Sequence, residues 1–127
     1  MHNDEQHQRS FRILVVDDNH DAASTLSDLF ELEGHRTSTV HNGLEAVREA
    51  TRVRYDAVVL DLGMPVMDGF EAAAVLRQLS PAPTLIAYSA WDDAETRRRT
   101  AALGFSMHLR KPVAFPVLKA ALRGVLP

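Results

Sequence analysis

Two unbroken apolar runs, Ile13-Leu14-Val15-Val16 and Ala57-Val58-Val59-Leu60, restrict the fold more than any other feature. A strand with one wet face alternates apolar and polar residues, so a run without alternation belongs to a strand covered on both faces. Three further runs, Arg36 to Val40, Thr84 to Tyr88 and Ser106 to Leu109, give five strand candidates, with the first extended to Arg12. Helical stripes lie between and after them. Ala22, Leu26, Leu29 and Phe30 follow helical spacing, as do Leu44, Val47 and Ala50, then Ala72, Leu76 and Leu79, then Leu118, Ala121, Leu122 and Val125. Asp92 to Leu103 reads as a helix whose only apolar anchors are alanine and leucine near its end. Gly34, Asn42-Gly43, Gly104 and the Pro81/Pro83 pair punctuate the boundaries. Five strands alternating with five helices predict an α/β fold, a parallel sheet covered on both sides, with ligands outside the carboxyl ends of the strands.

Composition sets the outer limits. A chain of 127 residues that is 46% apolar and 24% charged fits one globular domain. It has no cysteine, which excludes disulfides, thiolate metal sites and a cysteine nucleophile. A net charge of -3 argues against binding nucleic acid through bulk charge. No apolar stretch approaches a membrane span. Residues 1–10 are polar and aperiodic; they are expected to form a mobile arm and not a secretory signal, with residues 11–127 as the folded domain. A cytoplasmic protein is the expectation.

Four of the strand candidates end in residues able to do chemistry: Asp17-Asp18, Asp61, Ser89 and Lys111. The sheet would gather them at one edge. Three carboxylates in a partly desolvated crevice repel one another, and an all-oxygen set with room for water suits Mg²⁺. A lysine cation and a hydroxyl suit phosphoryl oxygens. Such a crevice can place a carboxylate nucleophile beside a divalent metal and two phosphate clamps. Each residue also has a plainer role. Asp18 or Asn19 would cap a helix, Asp61 would start a turn before Met64-Pro65, and Ser89 would end a strand. Lys111 is harder to dismiss, because the chain has only two lysines against twelve arginines; the other, Lys119, is expected to be solvated.

From about Phe11 to Leu126 the chain resembles the receiver domain of two-component response regulators. The resemblance is carried by Ile13-Leu14-Val15-Val16-Asp17-Asp18, by Val59-Leu60-Asp61-Leu62-Gly63-Met64-Pro65-Val66-Met67-Asp68-Gly69, by Tyr88-Ser89-Ala90 and by Lys111-Pro112. It implies a flavodoxin-like (βα)5 three-layer sandwich with strand order 2-1-3-4-5. It further implies that Asp61 is the phosphorylated aspartate, accepting its group from a phosphohistidine on a histidine kinase or histidine phosphotransfer protein. Asp18, Asp61 and the Gly63 carbonyl would bind Mg²⁺ directly, and Asp17 through a bound water. Ser89 would donate to the phosphoryl group and Lys111 would pair with it, next to a cis bond before Pro112. The signal would leave through the fourth helix, fifth strand and fifth helix toward an effector protein, with no separate metabolite turned over.

Three departures stand out. Gly63 replaces a polar side chain, Trp91 is bulky two residues after Ser89, and His108 takes the place of the aromatic switch residue, sharing that role with Ser89. Trp91 is expected to cover the site in part. His20 is given no role. Arg97-Arg98-Arg99 spans about 200° of helix arc, too much for one flat docking face. Two other functions stay open: a receiver-fold binding module that works unphosphorylated, and an aspartyl phosphatase. The second lacks an acid where Gly63 stands.

Overall fold

A computed structural model gives the structure of residues 9–126. The expected arm lies outside the described residues apart from Arg9 and Ser10, both exposed. The elements are β1 (Arg12–Val16), α1 (His20–Leu32), β2 (Arg36–Val40), α2 (Gly43–Arg52), β3 (Ala57–Leu60), α3 (Gly69–Leu76), β4 (Thr84–Ser89), α4 (Ala94–Ala102), β5 (Met107–Arg110) and α5 (Phe115–Val125). The strands form one parallel sheet in the order β2-β1-β3-β4-β5.

The unbroken runs work as expected. Ile13, Val15, Ala57 and Val59 face one core with Phe30, Leu118 and Leu122 of α1 and α5. Their neighbours Leu14, Val16, Val58 and Leu60 face the other, with Ala46, Ala72 and Leu76 of α2 and α3. Strand side chains alternate between faces, so both sets are buried only because helices cover both sides.

Two strands and one helix differ in their boundaries. β4 extends to Ser89, and β5 runs Met107–Arg110, one residue later than its apolar pattern suggests. The shift follows the ladder, in which Tyr88 pairs with Leu109 and Ser89 with Arg110. Helix α4 is shorter than expected because Asp93 caps it, accepting from the Thr96 N–H at 2.9 Å. Its buried residues are Thr96 and Thr100 rather than alanine or leucine. Lys119 is not simply solvated; its Nζ lies 3.3 Å from Glu33 Oε1.

The loop after β3 holds one strained residue. Val66 has φ 71°, a left-handed conformation that a β-branched side chain adopts at a cost, and it is 76% exposed, so burial returns little. Val66→Asn, which tolerates that region, should raise stability by about 1 kcal/mol in urea unfolding.

Candidate functional site

Parallel strands leave their carboxyl ends on one edge, and the hydrogen bonding runs one residue past each of three strands. Asp17 N–H donates to the Val40 carbonyl at 3.2 Å, Asp61 N–H to Val16 at 3.0 Å and Lys111 N–H to Ser89 at 2.8 Å. Three site residues are thus fixed by main chain before their side chains do anything. Asn19, not Asp18, caps α1 by accepting from the Ala22 N–H at 3.0 Å, which leaves the Asp18 carboxylate free of that duty.

Carboxylate oxygens of Asp17, Asp18 and Asp61 lie within 4.8 Å of one another. Asp17 and Asp61 are buried and Asp18 is exposed. Lys111 Nζ sits between the buried pair, 3.0 Å from Asp17 Oδ2 and 3.2 Å from Asp61 Oδ2, and 4.9 Å from the centre of the Tyr88 ring. Backbone N–H groups hold the remaining oxygens: Asn19 donates to Asp17 Oδ1 at 3.0 Å and Gly63 to Asp61 Oδ1 at 3.3 Å.

Burial pushes the Asp61 carboxyl above its ordinary range; the Lys111 charge pulls it back and the Asp17 charge pushes it up again. Burial also works against the Lys111 ammonium, but its bonds to Asp17 and the Asp61 charge outweigh that and raise its pKa. The paired ammonium therefore contributes stability that is complete below its ordinary value and fades only as pH rises through the higher folded one. By formal charge, one ammonium faces three carboxylates, an excess of acid over base. A hard divalent cation fits this all-oxygen set, with Asp18 open to solvent.

Glycines allow the close approaches. A Cβ on Gly69 would stand 2.5 Å from the Asp61 carbonyl oxygen, so α3 can start against the acidic residue only without one. A Cβ on Gly63 would meet the Trp91 ring at 3.1 and 3.2 Å, which shows the indole lying on Gly63 beside Asp61. Trp91 is 48% exposed, with its indole against Gly63. Ser89 is buried, its Oγ accepting from the Trp91 N–H at 3.0 Å. The bond between Lys111 and Pro112 is cis.

This edge can be compared with known proteins. The model of the response regulator receiver domain matches residues 13–123. The chain belongs to that family. The PrrA transcriptional regulatory protein of Mycobacterium leprae is 36% identical over 115 residues, which are 91% of this chain and 49% of that protein. Sporulation initiation phosphotransferase F of Bacillus subtilis is 30% identical over 116 residues, covering 91% of this chain and 94% of the relative. The chemotaxis protein CheY4 of Vibrio cholerae superposes with a TM-score of 0.87 at 28% identity, over 93% of this chain and all of that one. The chain spans about half the length of the transcriptional-regulator relatives it matches. It is a receiver domain of two-component response regulators, with their flavodoxin-like fold. No helix among the described residues is long and apolar enough to cross a membrane.

Asp17, Asp18, Asp61 and Lys111, singled out in the sequence, come together at this edge, but the contacts around them were not anticipated. Thr100 contacts His108, with Oγ1 to Nδ1 at 3.1 Å, and Tyr88 lies beside the lysine. The threonines at 96 and 100, four apart on a helix poor in apolar residues, were a usable signal. His20 stacks on His41, whose Nδ1 reaches the Asp17 carbonyl at 3.0 Å. Of the three arginines, Arg97 pairs with Asp92 and Arg99 lies 3.6 Å from the Phe70 ring centre, while Arg98 is exposed.

Two outcomes follow from the electrostatics. Asp61→Asn removes a carboxylate whose ionisation burial opposes, while sparing the Lys111–Asp17 bond, and should raise the Tm in metal-free buffer. Millimolar Mg²⁺ should raise the Tm of the native chain and change the emission of its single tryptophan, and should do neither in Asp18→Asn.

Proposed function

We propose that Asp61 is the phosphoacceptor of this receiver domain and that the donor is a phosphohistidine on a histidine kinase or histidine phosphotransfer protein. One observation carries the reading: Asp17, Asp18 and Asp61 converge within 4.8 Å while Lys111 Nζ contacts both buried members. The name of the Bacillus subtilis relative, a phosphotransferase, supports the same chemistry.

In the proposed step a carboxylate oxygen of Asp61 attacks phosphorus. The bond from phosphorus to the donor's imidazole nitrogen breaks, and its electron pair stays on the imidazole, which takes up a proton. Asp18, Asp61 and the Gly63 carbonyl would hold Mg²⁺ directly, and Asp17 through water. Mg²⁺ bound there supplies neutralising charge for the phosphoryl oxygens. Lys111 then transfers its contact from Asp61 to a phosphoryl oxygen, and the Ser89 hydroxyl donates to another. Trp91 limits the approach of water from its flank. The domain assists only its own phosphorylation and dephosphorylation.

A phosphoryl group adds close to two negative charges, which gives Ser89 and Lys111 a new partner. Their movement would alter the α4-β5-α5 surface, with Ser89 and His108 as the switch pair, for an effector protein rather than nucleic acid. The folded unit would be residues 11–127, working in the cytoplasm.

Intact-mass measurement after Mg²⁺ and acetyl phosphate is the test. One phosphoryl adduct on the native chain, absent from Asp61→Asn, is expected. No adduct on the native chain would leave a receiver-fold binding module that acts unphosphorylated. Trp91→Ala should shorten the phosphoaspartate lifetime several-fold, followed by loss of the adduct mass with time.

A further inference from the structure

Resting on the metal-binding reading of the acidic edge, we propose that His41 is a positioning residue that fixes the peptide joining Asp17 to Asp18, with His20 clamping its ring. Both peptide planes that flank the Asp17 Cα are anchored to the end of β2. Asp17 N–H donates to the Val40 carbonyl at 3.2 Å, and the Asp17 carbonyl meets His41 Nδ1 at 3.0 Å. A carbonyl can only accept, so Nδ1 carries a proton. The first of these bonds needs only main chain; the second depends on the imidazole.

The ring is held at its root and on its face as well. His41 N–H donates to Glu45 Oε1 at 2.8 Å, and Glu45 N–H donates to Asn42 Oδ1 at 2.9 Å, so the start of α2 fixes the backbone that carries the imidazole. The His20 ring lies on it with centroids 3.6 Å apart and planes within 10° of parallel. His20 is the first residue of α1, directly after the Asn19 cap, so the stack joins the turn leaving β1 to the turn leaving β2. The consequence falls on Asp18. Lys111 and the Asn19 N–H each restrain the Asp17 carboxylate at 3.0 Å, whereas the exposed Asp18 carboxylate has no such bond among the described residues. Its aim comes from its backbone. A planar peptide passes orientation from one Cα to the next, so holding the Asp17 carbonyl sets the direction in which Asp18 leaves the strand. Carboxylates placed before an ion arrives cost less to order when it binds. A ring that only filled space would need bulk at position 41; this tether needs an N–H donor.

Substitutions at the two histidines separate this tether from packing and from direct metal ligation. His41→Phe keeps a flat ring against His20 and removes the donor. His41→Asn places an amide N–H near the position of Nδ1, and His41→Gln near that of Nε2. His20→Phe keeps the stacked face without ring nitrogens. The first readout is the NMR resonance of the Asp17 carbonyl carbon in metal-free buffer. It should move upfield in His41→Phe and His41→Gln and stay near its native position in His41→Asn and His20→Phe. The second is binding of Mn²⁺, a hard cation with the same taste for oxygen, followed by the electron paramagnetic resonance of the free ion. Affinity should fall about three- to tenfold in His41→Phe and His41→Gln, the size of one hydrogen bond, and return in His41→Asn and His20→Phe. An unmoved carbonyl resonance or a native Mn²⁺ affinity in His41→Phe would overturn the proposal, as would His41→Asn behaving like His41→Gln. Weakened Mn²⁺ binding in His20→Phe would make the ring nitrogens ligands in their own right and overturn it too. A native chain that binds no Mn²⁺ would sink the metal-binding reading instead, while the carbonyl resonance still decides the tether.

Discussion

The ammonium of Lys111 between Asp17 and Asp61 is the contact on which the rest of this edge depends. Removing two carboxylates from water costs several kcal/mol each, and a buried pair survives only where charge and hydrogen bonds offset that cost. Here the offset is partial. The backbone groups of Asn19 and Gly63 take two oxygens, the lysine takes the other two, and the cluster still carries excess negative charge. That excess makes the edge receptive to a cation and keeps Asp61 from being a spectator: its ionised form is disfavoured, so neutralising ligands have something to relieve.

The fold provides the precision. β1 and β3 are adjacent, which sets Asp17 and Asp61 side by side, and the ladder from β4 to β5 delivers Lys111 across the top. Gly69 lets α3 begin in contact with the backbone of Asp61, and Gly63 lets an indole lie where a side chain would otherwise stand. Small residues thus decide how near the large ones can come.

How much of this was legible in the sequence depended on the kind of signal. The runs at Ile13 and Ala57 announced strands covered on both faces, because burial on two sides leaves no room for alternation. The acids, the serine and the lysine were legible because each stands at or just past the carboxyl end of a strand, where a parallel sheet must gather them. The register of β5 was not, since the ladder with Tyr88 and Ser89 shifts a half-exposed edge strand that its own apolar pattern does not fix. Nor was the role of Thr100, whose partner on β5 is eight residues away and meets it only after the chain turns back. Threonine in a charged helix reads as surface until that fold is known. Asp18 and Asn19 were interchangeable as caps on paper; the geometry assigned the cap to the asparagine.

The seat of α4 has a thermodynamic corollary. Most switch elements leave an oily imprint when they shift, which invites unwanted association and produces a large heat-capacity signature. The buried side chains of α4 are Thr96 and Thr100, and water can replace the bond that joins Thr100 to His108 on β5 at little net cost. A shift of this element would therefore uncover little apolar side-chain area of its own, with a correspondingly small heat-capacity change.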